Sequence, residues 1–246
     1  MNSFSIATLI ILYIVIKVKL CILTSEETCE MLREAYIAGF RTVIATSHYL
    51  EGKYIANRQQ KERYIQLLQE ILIKEKINIK VCNGSEVYNT INTLSLITGG
   101  IIATLNNSRY VLIELPMNQN NVYFEKNIYD LVSNGYIPII AHPERYIYVQ
   151  NNPSIVLNWI EQGSLLQSNY GSFIGIYGKN AQKTAIKLLK HNAIHFLGSD
   201  CHRVDSIYLK MDLIKKKIEK EIGKEAFYTI SHRNPLYIIE NKILEI

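Results

Sequence analysis

Five short apolar runs in this chain each end in histidine, glutamate or aspartate, and this recurrence is the feature that most constrains the fold. The runs lie at residues 41–48, 79–86, 110–114, 137–142 and 194–202. Segments with helical periodicity separate them, which indicates repeated β–α units with parallel strands joined by right-handed crossovers. Polar groups at the carboxyl ends of parallel strands converge on one mouth of a barrel or edge of a sheet, so we expect a single site there.

The periodicity predicts individual elements along the chain. Strands are expected at 42–45, 79–82, 110–114, 137–141, 165–167 and 194–198. Helices are expected at 24–39, 57–76, 124–134, 153–162, 181–192 and from about residue 206 onward. The alternation predicts an α/β architecture.

Composition is consistent with one such domain. With 246 residues, 48% hydrophobic and 20% charged, the chain has the usual size of a single α/β barrel. Its net charge of +5 comes from lysines dispersed over the predicted helices, so we expect no nucleic-acid partner. The cysteines lack paired spacing, which favours a reducing, cytoplasmic compartment over a disulfide framework. They are Cys21, Cys29, Cys82 and Cys201.

The polar strand ends carry a set of residues that suits metal chemistry. Carboxylates and imidazoles without thiolates are ligands for Mn²⁺, Mg²⁺, Fe²⁺ or Zn²⁺, and a bridging carboxylate can hold two ions close together. Arg145, three residues after His142, could grip a phosphate through two hydrogen bonds. These residue types favour phosphoester hydrolysis. The candidate metal ligands are His48, Glu86, Glu114, His142, Asp200 and His202.

Each of these residues also has a simpler interpretation, because a single histidine or glutamate after a strand often only caps a turn. Glu144 could equally be structural, as a salt bridge or a cap, or functional. We expect Cys201 to be a core or supporting residue rather than a nucleophile, and Tyr146 is a candidate wall for an aromatic substrate. Three histidines are interpreted as structural, at a helix end, inside a strand and in a loop: His191, His195 and His232.

Seven short motifs occur in a defined order. They are ATSH (45–48), GSE (84–86), LIE (112–114), AHPERY (141–146), QSN (167–169), GSDCH (198–202) and NP (234–235). From about residue 24 onward the chain therefore resembles the bacterial PHP-type (polymerase and histidinol phosphatase superfamily) tyrosine phosphatases of capsule and exopolysaccharide clusters, the CpsB/YwqE family. The resemblance implies a distorted (β/α)₇ TIM-like barrel, three metal ions, with Mn²⁺ expected, and dephosphorylation of a tyrosine autokinase. It does not decide whether the protein forms a homo-oligomer.

The resemblance also assigns roles to residues. The first ion would be bound by Glu86, Glu114 and His142. Glu86 would also bridge to a second ion, which Asp200 would bind. The third ion would be bound by His48 and His202. In catalysis the resemblance implies Arg145, His142 and Asp200. Contacts with the substrate are expected from Arg145, Tyr146 and Arg203.

The first 24 residues depart from the family. The family begins with a strand that carries Asp-x-His-x-His and continues into an Asp-Asp-Gly loop, whereas no histidine or aspartate precedes Glu26 here. The family also has a second phosphate-binding arginine a few residues after the Ser-Asp-x-His motif. In this chain that arginine is replaced, near Ile207, and Arg203 is the candidate substitute. We therefore divide the chain into an atypical apolar segment at 1–24, with an altered first strand, and a metallophosphatase domain at 25–246.

Two hypotheses explain this segment. Residues 4–24 approach the length of a membrane-spanning helix, which would make an anchor, although Lys17 and Lys19 interrupt it. Alternatively, the reading frame has shifted: residues 12–16 can be encoded by TTA TAC ATA GTC ATA, and starting two bases later this string gives Ile-His-Ser-His. We favour the second hypothesis, which the gene sequence would disprove if other codons are used.

Three functions remain open from the sequence. The first is a phosphotyrosine phosphatase, weakened by the missing ligands; the second is an inactive remnant that binds a kinase tail; the third is another PHP phosphoesterase, such as a histidinol phosphatase. Metal-dependent turnover would distinguish the first from the second, and substrate preference the first from the third. The His-Pro-Glu-Arg-Tyr context favours phosphotyrosine.

Overall fold

A single parallel sheet, whose spatial order follows the order of the chain, forms the centre of the fold. The structure is a computed structural model that describes residues 12–16, 25–53, 58–119, 123–204 and 207–245. Within these ranges the strands are β1 (Leu12–Ile16), β2 (Phe40–Tyr49), β3 (Lys80–Tyr88), β4 (Tyr110–Glu114), β5 (Ile137–Ala141), β6 (Leu165–Asn169) and β7 (Phe196–Gly198). The sheet curls until β7 contacts β1, so the expected α/β, barrel-like architecture is confirmed.

The helices connect successive strands or follow β7. They are α1 (Ser25–Ile37), α2 (Arg58–Lys74), α3 (Thr93–Thr98), α4 (Phe124–Ser133), α5 (Ile147–Asn151), α6 (Ile155–Glu161), α7 (Lys179–Lys190), α8 (Met211–Tyr228) and α9 (Asn234–Ile239). The predicted limits of β4 and β5 match the structure, whereas β2 and β3 extend beyond their predicted ends. Their polar carboxyl ends stay in the ladder, where Thr46 pairs with Gly84 and His48 with Glu86.

Apolar side chains are buried on both faces of the sheet, as expected for parallel strands covered by helices. The larger cluster lies between the sheet and the surrounding helices and includes Leu32, Ile113 and Trp159. The smaller cluster fills the inside of the barrel. Its buried members are Ile44, Cys82, Leu105, Tyr110, Leu112, Ile139, Ala141, Leu165, Phe196 and Ile238. This packing closes the barrel below the mouth, so chemistry is confined to the carboxyl ends of the strands.

The described part of the apolar N-terminal segment is a strand. Residues 12–16 pair in parallel with β2, from Leu12 opposite Phe40 to Ile16 opposite Ala45. The hypothesis of a membrane helix over 4–24 is therefore wrong for these five residues, because they take the position of the first barrel strand. The rest of that segment lies outside the described residues. In the part of the chain that the structure describes, no helix combines the length and apolar character needed to cross a bilayer.

Lys61 is a buried cation on α2. Its Nζ donates a hydrogen bond to the carbonyl oxygen of Gly84 in β3, and only 4% of the residue is exposed. Burial disfavours the charged form and lowers the pKa of Lys61 to about 7. The folded state therefore binds fewer protons than the unfolded state from about pH 7 to the ordinary lysine pKa of 10.5.

We expect this difference to make stability rise with pH. Between pH 7 and pH 9, the free energy of unfolding should increase by about 2 kcal/mol more in the parent chain than in Lys61→Met, which has no charge to lose. Urea unfolding of both proteins at the two pH values measures the difference. Parallel pH dependences would mean that Lys61 keeps its ordinary pKa.

Candidate active site

Four side chains from four neighbouring strand ends meet at the mouth of the barrel. His48 lies near the end of β2, Glu86 in β3, Glu114 at the end of β4 and His142 directly after β5. His48 Nδ1 is 3.2 Å from Glu114 Oε2 and 3.6 Å from Glu86 Oε2. His142 Nε2 is 3.0 Å from Glu86 Oε1 and 3.5 Å from Glu114 Oε1. We call these four residues the His/Glu cluster.

The composition and burial of the His/Glu cluster suit a divalent cation. Glu86 is 2% and His142 1% exposed, and two carboxylates so close together in a desolvated site call for a compensating positive charge. Nδ1 of His142 is buried and has no hydrogen-bond partner among the described residues. Two carboxylates and two imidazoles are donors that Mn²⁺, Fe²⁺ and Zn²⁺ accept. The residues present therefore fit one such ion.

A second group of polar side chains surrounds Asp200, which follows β7. Its Oδ2 accepts hydrogen bonds from Arg145 Nη1 at 2.8 Å, Asn169 Nδ2 at 2.9 Å and the Tyr177 hydroxyl at 3.3 Å. The Arg145 guanidinium also lies 4.5 Å from the centre of the Tyr177 ring, a cation–π contact. Burial, and then the charge of Asp200, raises the pKa of Tyr177, so its hydroxyl stays protonated and can donate. We call these four residues the Asp200 cluster.

His202 and Arg203 lie at the rim of the mouth. His202 Nδ1 is 2.8 Å from the Asp200 carbonyl oxygen, and its ring centre is 6.4 Å from that of His48. Among the described residues, one group of three potential metal ligands has its ligand atoms within 4.8 Å of one another. It consists of His48, Glu86 and Glu114. His202 and Arg203 instead line an open pocket of about 400 Å³ beside Asp200, together with Tyr177 and other residues.

The backbone turns sharply after β5 and after β7. His142 has φ 37° and ψ 54°, and Asp200 has φ 49°. Both lie in the left-handed region, where histidine, aspartate and asparagine are over-represented among non-glycine residues. At His142 the amide still donates to the Gln167 carbonyl oxygen at 2.7 Å, which fixes the turn against β6. The strand ends thus leave the sheet at the two positions where the candidate chemistry lies.

Glu144 links the turn at residues 143–145 to β6 through hydrogen bonds. Its carboxylate is completely buried and accepts hydrogen bonds from Ser168 Oγ at 2.9 Å, the Asn169 amide at 2.9 Å and Ser172 Oγ at 2.6 Å. These contacts agree with the structural interpretation of Glu144. The carboxylate holds the 143–145 turn in place and thereby positions Arg145.

Tyr146 does not form a wall of the site, contrary to the expectation from sequence. Its exposed fraction is 0%, its hydroxyl donates to the Ala141 carbonyl oxygen at 2.8 Å and accepts from the Leu115 amide at 2.9 Å. A side chain with both hydrogen bonds made inside the core cannot contact a substrate. Tyr146 therefore supports the turn from below.

Tyr177 and Asn169 complete the Asp200 cluster, and neither was expected in the site from the sequence. Asn169 stands at the end of the QSN motif and of β6. Tyr177 lies between Gly175, with φ 82°, and Gly178, with φ 94°. Two glycines with positive φ allow the tight loop that directs Tyr177 toward Asp200. The Gly-Ile-Tyr-Gly pattern between two predicted elements was the available signal.

The remaining histidines and Cys201 lie in structural positions, but two of the expected placements were wrong: His195 directly precedes β7 rather than lying inside a strand, and His232 lies in a π-helical turn at 229–233 rather than in a loop. His195 is buried and accepts a hydrogen bond from the Leu166 amide through Nδ1 at 3.0 Å, and burial lowers its pKa to about 4. Burial also lowers the pKa of His232 to about 4. His191 is exposed at the end of α7. Cys201 is buried, with its Sγ 3.3 Å from the Arg203 carbonyl oxygen.

Comparison with known proteins assigns the chain to a family. Residues 21–240 match the family described as "Capsular polysaccharide synthesis, CpsB/CapC". The chain belongs to the CpsB/CapC family. This agrees with the resemblance that the ordered motifs indicated.

Several named members of the CpsB/CapC family are similar over most of their length. YwqE of Bacillus subtilis, a tyrosine-protein phosphatase, is 34% identical over 87% of this chain and 84% of its own. CpsB of Streptococcus pneumoniae, also a tyrosine-protein phosphatase, is 31% identical over 89% and 92%. A putative tyrosine-protein phosphatase of Staphylococcus aureus, CapC, is 32% identical over 73% and 70%.

Solved structures agree with this assignment. A chain from the crystal structures of YwqE and CpsB, which are described as unique metal-dependent tyrosine phosphatases, superposes with a TM-score of 0.84 at 33% identity, over 90% of this chain and 89% of that one. A histidinol phosphate phosphatase of Lactococcus lactis superposes with a TM-score of 0.56 at 15% identity, over 87% and 94%. The second likeness shows a shared fold alone.

Proposed function

We propose that this member of the CpsB/CapC family is a metal-dependent protein-tyrosine phosphatase of capsule or exopolysaccharide synthesis. The observation that carries the proposal is the position of the His/Glu cluster beside Arg145 at one mouth of the barrel. A site for a divalent cation next to a guanidinium is what a phosphate monoester dianion requires. The activities named for YwqE and CpsB support the same reaction.

The residues that would hold the metal are those of the His/Glu cluster. When bound, a divalent ion supplies Lewis acidity that activates water and withdraws charge from a phosphoryl oxygen. The expected metal is Mn²⁺, with Mg²⁺, Fe²⁺ or Zn²⁺ as alternatives. The assignment of Asp200 and His202 to further ions remains a prediction from the resemblance.

Arg145 would bind the phosphoryl group. Its guanidinium is planar and always charged, so it can donate two parallel hydrogen bonds to phosphoryl oxygens and stabilise the charge that develops on them. Asp200 and the Tyr177 ring hold the guanidinium before the substrate arrives. In the reaction, an oxygen–phosphorus bond to water forms while the bond to the tyrosyl oxygen breaks. The tyrosyl oxygen leaves as a phenolate and takes up the proton that the attacking water releases, because the ordinary pKa of the phenol is about 10.

The pocket beside Asp200 would receive the phosphotyrosine side chain. Tyr177, Ile176 and Ile207 supply aromatic and apolar surface, and Arg203 and Lys210 add positive charge at the rim. This lining suits an aryl ring that ends in a phosphate. We propose as substrate a cognate tyrosine autokinase in the cytoplasm, a compartment that scattered cysteines favour, and we retain a homo-oligomer as a prediction.

Metal-dependent turnover of a phosphotyrosine peptide tests the proposal. We expect EDTA to lower the rate of phosphate release at least about 100-fold and Mn²⁺ to restore it, because the buried carboxylates cannot activate water by themselves. A phosphoserine peptide and histidinol phosphate serve as comparison substrates. Absence of turnover from folded, Mn²⁺-treated protein would favour the inactive remnant, and preference for histidinol phosphate would favour the other class of phosphoesterase.

A further inference from the structure

We propose that this chain holds a single divalent ion, in the His/Glu cluster, and that the guanidinium of Arg145 supplies the positive charge beside Asp200 where another ion could otherwise bind. This inference rests on the proposed function, since it concerns the metal content of the same site. It follows from the distribution of ligands around the mouth, the contacts of Asp200 and the positive charge of Arg145.

The ligands are missing on one side of the mouth. β1 pairs with β2, which carries His48, and contacts β7, which precedes Asp200. The end of β1 therefore lies between the His/Glu cluster and the Asp200 cluster. The first 25 residues of the chain contain no histidine, aspartate or glutamate. Any ion shared between the two clusters would lack the imidazole or carboxylate ligands that this strand end could have provided.

Asp200 is engaged by hydrogen-bond donors. Arg145, Asn169 and Tyr177 all donate to the same oxygen, Oδ2, and the Arg145–Asp200 pair is largely buried on the carboxylate side, where 6% of the Asp200 side chain is exposed. An ion bound to Asp200 would have to compete with a guanidinium 2.8 Å away. At the rim, His202 would add one imidazole. Glu86 lines the same small cavity as Asp200, but its carboxylate is already engaged with His142 and His48 in the His/Glu cluster.

A second divalent ion would lie beside the Arg145 guanidinium, with which the Asp200 carboxylate is already paired. In a poorly solvated mouth these like charges repel strongly. With one ion, an incoming phosphate monoester meets two distinct cations, the metal on one side and Arg145 on the other.

Metal stoichiometry tests this directly. The full chain is incubated with excess Mn²⁺, exchanged into a volatile buffer and analysed by native mass spectrometry, with the electron paramagnetic resonance spectrum recorded in parallel. We expect one Mn²⁺ per chain and the six-line spectrum of an isolated ion. Glu86→Gln should lose the ion, whereas Asp200→Asn should retain it. Circular dichroism establishes that each variant is folded.

The other outcomes separate the inference from the proposed function. Two or more ions per chain, with loss of one in Asp200→Asn or with an exchange-coupled spectrum, would overturn the single-ion inference while leaving a metal-dependent phosphatase intact. No bound ion in the folded parent chain would overturn both. One ion that is lost in Asp200→Asn but kept in Glu86→Gln would place the metal in the wrong cluster and also overturn the inference.

Discussion

Replacing Glu86 with glutamine is expected to lower kcat/KM for a phosphotyrosine peptide by about 10³-fold or more, equivalent to about 4 kcal/mol of transition-state stabilisation. Glu86 lies at the centre of the His/Glu cluster, 3.0 Å from His142 and 3.6 Å from His48. The amide keeps the volume of the side chain but removes the charge that a divalent ion needs. Initial rates at saturating Mn²⁺ measure the effect.

The matched control for this variant is Glu125→Gln, an exposed carboxylate in the first turn of α4. It should keep kcat/KM within about twofold, because a change at an exposed surface position rarely alters a distant site. If Glu86→Gln retained more than a tenth of the parent activity while Glu125→Gln behaved as expected, the metal would have to bind elsewhere.

Replacing Arg145 with lysine is expected to lower kcat/KM by about 10²-fold to 10³-fold, or about 3–4 kcal/mol. Lysine keeps the charge but cannot donate two parallel hydrogen bonds, and it lacks the planar guanidinium that lies 4.5 Å from the centre of the Tyr177 ring. The inhibition constant of inorganic phosphate should rise in parallel. Steady-state kinetics with phosphate as a competitive inhibitor provides both values.

Arg109→Lys provides the control for Arg145. Arg109 directly precedes β4 and therefore lies at the opposite end of the barrel, where its Nε is 3.3 Å from Asn241 Oδ1. This variant should leave turnover and phosphate inhibition unchanged. Unaltered phosphate inhibition in Arg145→Lys would show that the guanidinium does not bind the phosphoryl group, even if turnover fell for another reason.

The fold was largely predictable because its dominant signals are local. β4 and β5 are short apolar runs with clear ends, and their limits match those expected. The prediction ended β2 and β3 too early because their last residues are polar, and only pairing with a neighbour keeps such residues in a strand. The short helix α5 was missed for a related reason: five residues before Pro153 carry too little periodicity to indicate a helix.

The candidate site was predictable where it depends on strand direction. Parallel strands bring their ends together, so all six candidate ligands could be placed at one mouth without coordinates. The contact of His48 with Glu86 and Glu114 was not foreseen, because the resemblance assigned His48 to a separate ion with His202. Tyr177 could not be found this way, because its contact with Asp200 depends on tertiary packing. Tyr146 was misinterpreted because it directly follows Arg145 in the sequence. The 3₁₀ turn ends at Arg145 and the backbone becomes extended at Tyr146, with φ −75° and ψ 127°, so the two side chains point in different directions. One residue faces the mouth and the next faces the core.

The strand β1 shows that folding and chemistry make different demands on the same position. Its sequence, LYIVI, consists of residues that favour strands, and its pairing with β2 requires only the backbone. Measurements of expression, thermal stability or overall structure would therefore respond little to a change that removes every ligand from this strand. Screens that select for folded protein would therefore not detect such a change. An assay of bound metal or of phosphate release would detect it.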